Sequence, residues 1–285
     1  MNHKLVIITF SLSIVVLFGL FLFQQSKFND GKLHIVFCNV GQGDAIFMRT
    51  PYGADILVDG GPDDKVLNCL SAHMPFWDRD LELVFATHPD ADHITGLLSV
   101  LKNYKVMSFD ASGKNRGTKV FKTIEEEINQ EKVPERTVFS DDKFQLSDGV
   151  AIKELWPTRD FASANQNSND TNSFSLVQLV SFGKFNMLLT GDVEAGILDK
   201  LFDSSLTLSI LKLPHHGSKT GVDDKTFELL KPALSIVSAG KKNKYHHPSP
   251  EVLSLLKKYN LQYKRTDMDG EIEIVTDGVE TKVVN

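Results

Sequence analysis

The sequence predicts an α/β (α+β) fold in which two mixed β-sheets pack face to face with helices outside, preceded by one N-terminal transmembrane helix. Short apolar runs rich in β-branched residues alternate with segments of helical periodicity, repeatedly in the order β-β-α, which suits a two-sheet sandwich. The chain has 285 residues, enough for one large domain or two small ones with a buried core. An uncharged run near the N-terminus predicts the transmembrane helix.

The N-terminal run at residues 5–23 carries no charge and is long enough to cross a bilayer as a helix. Residues 1–4 form a short flank, residues 24–32 a polar linker, and residues 33–285 the remaining domain. No small-x-small cleavage site follows the apolar core, so we predict an uncleaved signal anchor; a cleaved signal peptide, which would give a secreted protein, is the alternative. Positive residues flank the run on both sides, and the positive-inside rule gives only a slight preference for a cytoplasmic N-terminus. We expect a single-pass protein of the cell membrane with its domain outside.

Composition excludes some functions and leaves others open. The formal net charge of −6 at pH 7 argues against a protein that coats nucleic acid through bulk positive charge, although it leaves room for a local basic groove. Cys38 and Cys69 are too few and too far apart in sequence for a disulfide scaffold or a cysteine zinc site. Cys38 lies in a strand-like run, so we interpret it as a small buried hydrophobic residue. The sequence does not show whether the two cysteines meet in space.

The first predicted elements lead towards a cluster of metal-ligand residues. Strands are predicted at residues 33–40, 54–59 and 81–87, and a helix at residues 63–74. The first strand is followed by Gly41-Gln42-Gly43-Asp44, in which glycines at alternate positions suit a turn with positive φ or a close backbone approach. The second predicted strand ends on Asp59 and two glycines.

The third of these strands runs into the six residues His88-Pro89-Asp90-Ala91-Asp92-His93. A helix is predicted to begin near His93, so four potential metal ligands share one tight turn at the edge of a sheet. Imidazole nitrogens and carboxylate oxygens both bind borderline divalent cations such as zinc, and carboxylates also suit manganese or iron. Asp and His are ordinary loop and N-cap residues as well, but four ligand types in six positions favour a metal site.

Polar residues again follow the predicted strands further along the chain. Segment 161–173 is polar and turn-rich, which is typical of a surface loop, and it precedes a strand at residues 175–180. A strand at residues 186–190 ends on Gly191-Asp192, and a strand at residues 208–213 leads into His215-His216-Gly217-Ser218. The next polar loop contains Asn243, Tyr245, His247 and Pro248. Its lysines, Lys241, Lys242 and Lys244, suit phosphate contacts or form a solvated charge run.

Together these motifs resemble the metallo-β-lactamase fold and, within it, the hydrolase domain of ComEC-type competence proteins, which act in DNA uptake. HPDADH is similar to the HxHxDH signature, with Asp90 where the second His usually stands. VGQGD at 40–44, TGD at 190–192, HHGS at 215–218 and N-x-Y-x-H-P at 243–248 are similar to the competence proteins. The resemblance runs from about residue 33 to about residue 274. It departs from many metallo-β-lactamase enzymes at segment 161–173, where a further ligand His is absent.

The resemblance implies a four-layer αββα sandwich whose loops hold two divalent metal ions, zinc or manganese. The implied ligands are His88 and Asp90 for one ion, Asp92, His93 and one of His215 and His216 for the other, and Asp192 as a bridge through its two oxygens. Asp59 would lie beneath the site and orient a ligand imidazole, unless it is only a turn residue.

The residues expected to act on the substrate lie on the same loops. The catalytic residues are predicted to be Asp92 and Asp192, with His247 binding or protonating an anionic substrate. Positions beside the metals or the substrate are predicted for Asp44, Asn172, Asn243 and His247. Asp170 or Asn172 could approach the site from segment 161–173, and neither is predicted to be a ligand.

The resemblance implies a membrane-anchored metallo-β-lactamase-fold metallohydrolase whose metal-bound hydroxide cleaves phosphodiesters, with single-stranded DNA as the first expected substrate. Asp90 in place of a neutral His favours harder ions, which keeps manganese beside zinc and disfavours a β-lactamase. A phosphocholine-type esterase of cell-wall polymers is the alternative enzyme, and a catalytically silent surface binding module is the alternative from another class. The full competence protein has many membrane spans and this chain has one candidate span, so we do not expect a translocation pore. No protein partner is identifiable from the sequence.

Overall fold

The computed structural model describes residues 3–113, 118–202 and 204–284. Two large β-sheets pack against each other, and helices cover the outer face of each sheet. Met1 and Asn2, part of the predicted N-terminal flank, lie outside the described residues.

The first sheet has the strand order β17-β16-β1-β2-β3-β5-β7-β8. Its strands are β1 (Leu33–Phe37), β2 (Ile46–Arg49), β3 (Asp55–Val58), β5 (Leu83–Ala86), β7 (Phe109–Ser112), β8 (Glu135–Val138), β16 (Ile272–Thr276) and β17 (Thr281–Val283). Strand β2 is antiparallel to both β1 and β3, and β5 is parallel to β3. The carboxyl ends of β1, β3 and β5 therefore meet at one edge of the sheet.

The second sheet has the strand order β15-β14-β13-β12-β11-β10-β9. Its strands are β9 (Lys143–Gln145), β10 (Ala151–Trp156), β11 (Val177–Phe182), β12 (Phe185–Leu189), β13 (Leu206–Lys212), β14 (Leu230–Val237) and β15 (Gln262–Arg265). Strands β12 to β15 are parallel to one another. Two short strands, β4 (Asp80–Leu81) and β6 (Lys105–Val106), pair separately.

Successive side chains of a strand point to opposite faces of its sheet. The two sheets therefore form three apolar cores, one between them and one under the helices on each outer face. On β1, Ile35 and Phe37 face the core between the two sheets, whereas Val36 faces the core under the helices. The outer helices of the first sheet are α2 (Val66–His73), α3 (Ala91–Ile94), α4 (Leu97–Asn103) and α5 (Lys119–Glu131). The outer helices of the second sheet are α7 (Ala195–Leu201), α8 (Asp224–Leu229) and α9 (Pro250–Lys258), which contribute to the third core. The predicted four-layer αββα sandwich is confirmed.

The N-terminal helix α1 (His3–Phe28) is long and apolar enough to cross a membrane. It continues beyond the predicted end at residue 23, so half of the predicted linker is helical. Gln24, Gln25 and Lys27 are good helix formers, and the Phe28 carbonyl at the helix end accepts a hydrogen bond from Arg49 Nε at 3.1 Å. Only residues 29–32 connect the helix to β1.

The structure corrects the interpretation of the two cysteines. Cys38 is buried, as expected, but it forms a disulfide with Cys69, with their Cα atoms 5.8 Å apart. Cys38 directly follows β1 and Cys69 lies in α2, which packs on the outer face of the first sheet. The disulfide therefore joins the start of the Gly41–Asp44 turn to an outer helix.

Segment 161–173 is more ordered than the surface loop that its composition predicts. Helix α6 (Arg159–Ala164) begins at Thr158, whose hydroxyl accepts a hydrogen bond from the Phe161 backbone N–H. Phe161 packs between Trp156 and Phe174, and a 3₁₀ turn spans Asn172–Phe174. Helix α10 (Thr266–Asp269) follows β15, and a second 3₁₀ segment spans Pro214–Gly217.

Candidate metal centre

The predicted site residues lie on loops that leave the carboxyl ends of strands. Asp44 follows β1, Asp59 follows β3 and His88 follows β5, while Asp192 follows β12 and the His215-His216 pair follows β13. Because these strand ends share one edge of the sandwich, residues far apart in sequence meet there. Glycine permits a close approach of two of these loops: a Cβ on Gly43 (φ +135°) would lie 2.0 Å from the Asp92 carbonyl oxygen.

Four ligand atoms form a compact group around one oxygen of Asp192. Its Oδ2 lies 3.3 Å from His93 Nε2 and 3.4 Å from His216 Nε2. His216 Nε2 also lies 3.5 Å from Asp92 Oδ2 and 3.3 Å from His93 Nε2. Two ligand atoms that are each about 2.1 Å from one tetrahedral ion lie about 3.4 Å apart. Four of the six distances among these ligand atoms are therefore close to the spacing of ligands around one divalent cation.

A second, wider group contains His88 and Asp90. His88 Nε2 lies 3.9 Å from Asp90 Oδ2 and 4.0 Å from Asp192 Oδ2. This Nε2 is buried and has no hydrogen-bond partner among the described residues, while Nδ1 contacts the Thr87 hydroxyl at 2.9 Å. Burial, assisted by the neighbouring His93, lowers the pKa of His88 to about 4. Its imidazole is therefore neutral at physiological pH and aims an unused lone pair at the carboxylates.

Asp59 holds one of these imidazoles in place. Its Oδ2 lies 2.7 Å from His93 Nδ1 and accepts a hydrogen bond from the Thr87 hydroxyl, and its Oδ1 accepts one from the Thr87 backbone N–H. A ring that donates through Nδ1 keeps its Nε2 lone pair for a metal. The contacts of Asp59 thus suit the predicted orienting role, which stays a prediction.

The paired histidines occupy different positions in the site. His216 Nδ1 donates to the Ser238 carbonyl at 3.0 Å, so that Nε2 faces Asp192 and Asp92. His215 is half-buried, and its Nε2 lies 3.9 Å from Asp192 Oδ2. Both residues have positive φ, 49° and 55°, a conformation that non-glycine residues adopt at a cost of about 1–3 kcal/mol and that clusters at functional sites.

The carboxylates strongly affect the pKa values of the facing imidazoles. Burial alone would lower the pKa of His216, but Asp192 and Asp44 outweigh burial and raise it to about 9. The pKa of His93 is likewise raised, by Asp192 and Asp59. For Asp92, burial is outweighed by the hydrogen bond from His216 and the charge of His93, and its pKa falls to about 2. The site therefore attracts positive charge.

Lys212, at the end of β13, is a site residue that the sequence interpretation missed. Its ammonium group is fully buried, forms an ion pair with Asp44, lies 3.7 Å from Asp192 Oδ1 and donates to the Gly191 carbonyl at 3.1 Å. One ligand atom from each of Asp44, His93, Asp192 and His216 lies within 4.8 Å of the others. Because Lys212 neutralises Asp44, Asp44 is less suited to bind a cation than the other three, and its predicted place beside the ligands stays a prediction. A lysine inside an apolar strand was the available signal.

The C-terminal end of segment 161–173, together with Ser175 just after it, contacts the candidate metal ligands. The Thr171 hydroxyl donates to Asp90 Oδ1 at 2.6 Å, and the Ser175 hydroxyl accepts from the Asp192 backbone N–H at 3.0 Å. Asn172 Oδ1 is buried without a hydrogen-bond partner among the described residues. Asp170 is exposed and bonds to Ser173 within the turn, so the structure gives it no contact with the candidate ligands.

The Asn243–His247 loop forms one wall of the site. The Asn243 side chain donates to the carbonyls of Gly240 and His247 and accepts from the His247 backbone N–H. The His247 ring lies 5.5 Å from that of His215 and stacks at 5.7 Å against Tyr245, which is 53% exposed. Burial and the neighbouring histidines lower the pKa of His247 to about 4. Lys241, Lys242 and Lys244 are exposed on the same loop, and the Lys244 ammonium lies over the Tyr245 ring.

Sequence relatives support the predicted resemblance. ComE operon protein 3 of Bacillus subtilis (strain 168) is 27% identical over 291 residues, covering 93% of this chain and 35% of that protein. Recombination protein 2 of Haemophilus influenzae is 27% identical over 280 residues, covering 96% and 32%. Competence protein ComA of Neisseria gonorrhoeae is 23% identical over 268 residues, covering 92% and 35%. The chain thus spans about one third of the length of these relatives. No protein-family model matches the chain.

Solved structures support the fold. Igni18, a metallo hydrolase from the hyperthermophilic archaeon Ignicoccus hospitalis, superposes with a TM-score of 0.51 at 14% identity, covering 88% of this chain and 99% of that one. CmlA, a diiron β-hydroxylase from Streptomyces venezuelae, superposes with a TM-score of 0.56 at 11% identity, covering 86% and 54%. At these identities the likeness shows the fold alone. The chain therefore joins a sequence similar to competence proteins to a fold that other chains use for metal centres.

Proposed function

We propose that this protein is a membrane-anchored, metal-dependent phosphodiesterase that acts on DNA, with single-stranded DNA as the preferred substrate. One observation carries the metal-dependent hydrolase: His93 Nε2, His216 Nε2 and Asp192 Oδ2 lie 3.3 to 3.4 Å from one another, and Asp92 Oδ2 lies 3.5 Å from His216 Nε2. Such a set satisfies the geometry of a divalent cation and would be costly to bury without one.

The charge of the site supports two ions. The site contains five carboxylates, those of Asp44, Asp59, Asp90, Asp92 and Asp192, and one ammonium group, that of Lys212, which pairs with Asp44. With neutral imidazoles this gives a net charge of about −4, which two divalent cations would balance. His216 is the better candidate of the histidine pair for the Asp92–His93 ion, and His88 with Asp90 would hold the other. Bound ions supply a hydroxide near neutral pH and neutralise charge on the scissile phosphate.

The chain's own residues would position the substrate. Exposed Tyr245 offers a face on which a splayed base can stack, and stacking of this kind contributes about 1–3 kcal/mol per base. The neighbouring lysines, Lys241, Lys242 and Lys244, offer contacts to phosphates along a strand. Neutral His247 can donate one hydrogen bond to a phosphate oxygen. Two relatives carry the names Competence protein ComA and Recombination protein 2, which agrees with a nucleic-acid substrate.

The disulfide supports the proposed location outside the membrane. Structural disulfides persist in oxidising compartments and are rare in the cytoplasm, and this chain places both of its cysteines in one disulfide. With helix α1 as an uncleaved anchor, the metal centre would face the extracytoplasmic side.

The test is hydrolysis of fluorescent single-stranded DNA by the full chain in detergent, supplied with manganese or zinc. We expect Asp192→Asn to reduce cleavage by about 10³-fold or more, because the shared carboxylate oxygen that orders both ligand groups is lost. Asp224→Asn is the matched control, since it makes the same change at an exposed carboxylate paired with Lys258. Metal-loaded protein that cleaves phosphocholine esters and leaves DNA intact would reject the nuclease, and absence of any turnover would favour a binding module.

A further inference from the structure

Helix α1 is fixed to the domain by one buried arginine. Arg49 Nε donates to the Phe28 carbonyl at the end of α1 (3.1 Å), and Nη1 donates to Asp55 (2.6 Å). Both Nη atoms also lie 3.4 Å from Asp78 Oδ2. Asp78 belongs to the loop at residues 75–79 between α2 and β4. One guanidinium therefore joins the helix end, a strand of the first sheet and this loop, which sets the position of the domain relative to the helix.

One aromatic residue of that loop, Trp77, lies against the apolar helix, and Phe76 packs on it. The Trp77 ring lies 5.1 Å from the ring of Phe21, inside the apolar run of α1, and 4.8 Å from the ring of Phe76. Phe76 is 69% exposed and Trp77 is 39% exposed. Phe21 precedes Phe28 by seven positions, so Trp77 contacts the helix about 10 Å from its end, towards the bilayer. If residues 5–23 span the membrane, a loop in contact with Phe21 reaches the lipid interface, where tryptophan is enriched.

We propose that the loop at residues 75–79 inserts Phe76 and Trp77 into the interfacial region of the lipid bilayer, docking the domain on the membrane with its metal centre at the opposite edge. The loop leads through β4 into the amino-terminal end of β5, and helix α1 leads into the amino-terminal end of β1. Strands β1 and β5 run in the same direction, so the loop and the end of α1 lie at the same edge of the first sheet. The metal centre lies at the carboxyl ends of β1 and β5. A strand of four or five residues separates the two edges by about 13–17 Å.

Two exposed lysines, Lys27 and Lys105, lie near the loop. The Lys105 backbone N–H donates to the Arg79 carbonyl at 2.8 Å, which places Lys105 beside the loop, and its ammonium group pairs with Asp80 at 3.6 Å. Exposed basic residues at this depth attract anionic headgroups. The orientation also presents the metal centre to polymers in the aqueous phase and away from the lipids themselves. The inference rests on the membrane anchor of the proposed function and does not depend on the substrate.

The chain contains two tryptophans, which makes the test direct. Trp156 Nε1 donates to the Ser173 carbonyl, close to the segment that contacts Asp90 and Asp192, so it reports on the metal-centre edge. We would reconstitute the full chain in phosphatidylcholine–phosphatidylglycerol vesicles with or without lipids brominated near the interface. Trp156→Phe leaves Trp77 as the only tryptophan and Trp77→Phe leaves Trp156, so excitation selective for tryptophan reports on one residue in each variant.

We expect brominated lipids to reduce Trp77 emission about twofold or more and to leave Trp156 emission nearly unchanged, because collisional quenching requires contact with the lipid. Should Trp156→Phe fail to fold, the difference between the wild type and Trp77→Phe gives the Trp77 signal. Equal quenching of the two fluorophores, or none in protein that floats with the vesicles, would overturn the docking. Protein that does not float with the vesicles would overturn the anchor as well.

Discussion

The buried ammonium of Lys212 places a positive charge inside an otherwise acidic site. It pairs with Asp44 and lies 3.7 Å from Asp192, and no part of the side chain is exposed. Burial opposes the charged form, but Asp44 and Asp192 outweigh burial and raise the pKa of Lys212. Lys212 thus stays charged, and it leaves Asp192 Oδ2 as the oxygen that faces the histidines.

We expect Lys212→Met to lower the free energy of unfolding by about 3–5 kcal/mol, because the change leaves Asp44 as an uncompensated buried charge. The double variant Asp44→Asn/Lys212→Met removes both charges and should recover more than about 1 kcal/mol of that loss. Urea unfolding of EDTA-treated protein in detergent measures both variants beside Asp44→Asn alone. If the effects of the two single changes simply add, the ion pair does not contribute as proposed.

The raised pKa of His216 predicts that protons and metal compete for one site. A histidine whose folded pKa exceeds its unfolded value of 6.5 contributes stability that is complete below pH 6.5 and lost as the pH rises through the folded pKa, here about 9. EDTA-treated protein should therefore lose up to about 3 kcal/mol of unfolding free energy between pH 6.5 and pH 9.5. Urea unfolding at the two pH values checks this, with His216→Gln as the variant that lacks the titration.

Metal binding should remove this pH dependence. A ligand imidazole must be deprotonated, so an ion that binds at pH 7.5 would release at least about one proton, and its affinity would rise towards pH 9. Calorimetric titration in buffers of different ionisation enthalpy counts the protons. Binding without proton release would mean that His216 is not a ligand.

At the level of single residues, sequence motifs indicated one edge for the candidate ligands because each lies in the loop or the first helical turn that follows a strand. His88, Asp192 and the His215-His216 pair could be assigned to one edge from this order alone. Lys212 could not, since a lysine in a strand can equally face solvent, and its partner Asp44 meets it only when the two sheets pack together. The choice between His215 and His216 needed ring orientation, which the Ser238 carbonyl determines.

Among the elements, the end of β1 and helix α2 are joined by the Cys38–Cys69 disulfide, whose cysteines are 31 positions apart in sequence. A cross-link of this loop length restricts the unfolded chain and stabilises the folded one by about 3–4 kcal/mol. We expect the double variant Cys38→Ala/Cys69→Ala to lose that amount in urea unfolding. Reduced wild type should match the variant, and reductant should leave the variant unchanged. A loss below about 1 kcal/mol would mean that packing of α2 alone holds this edge.

The elements themselves were predictable to different degrees. Short, nearly continuous apolar runs indicated β1 and the other central strands, because both faces of these strands meet a core. The end of α1 was placed too early, since a polar stretch that continues a helix has no apolar periodicity to reveal it. The disulfide was not predictable either, because contact between Cys38 and Cys69 depends on where α2 packs on the sheet.

For the whole molecule, the resemblance predicted the αββα sandwich, but the side of the membrane on which it lies remains a proposal. The disulfide makes that proposal testable in cells, because an outward domain would be oxidised and a cytoplasmic one would be kept reduced. Cells would be quenched in acid, alkylated with N-ethylmaleimide, then reduced and labelled with a polyethylene-glycol maleimide. With two cysteines in the chain, we expect two labels on nearly all molecules, and none on Cys38→Ala, whose single thiol is blocked by the first reagent. If the wild type carried no labels, both thiols would be reduced in cells. The domain and its metal centre would then lie on the cytoplasmic side of the membrane.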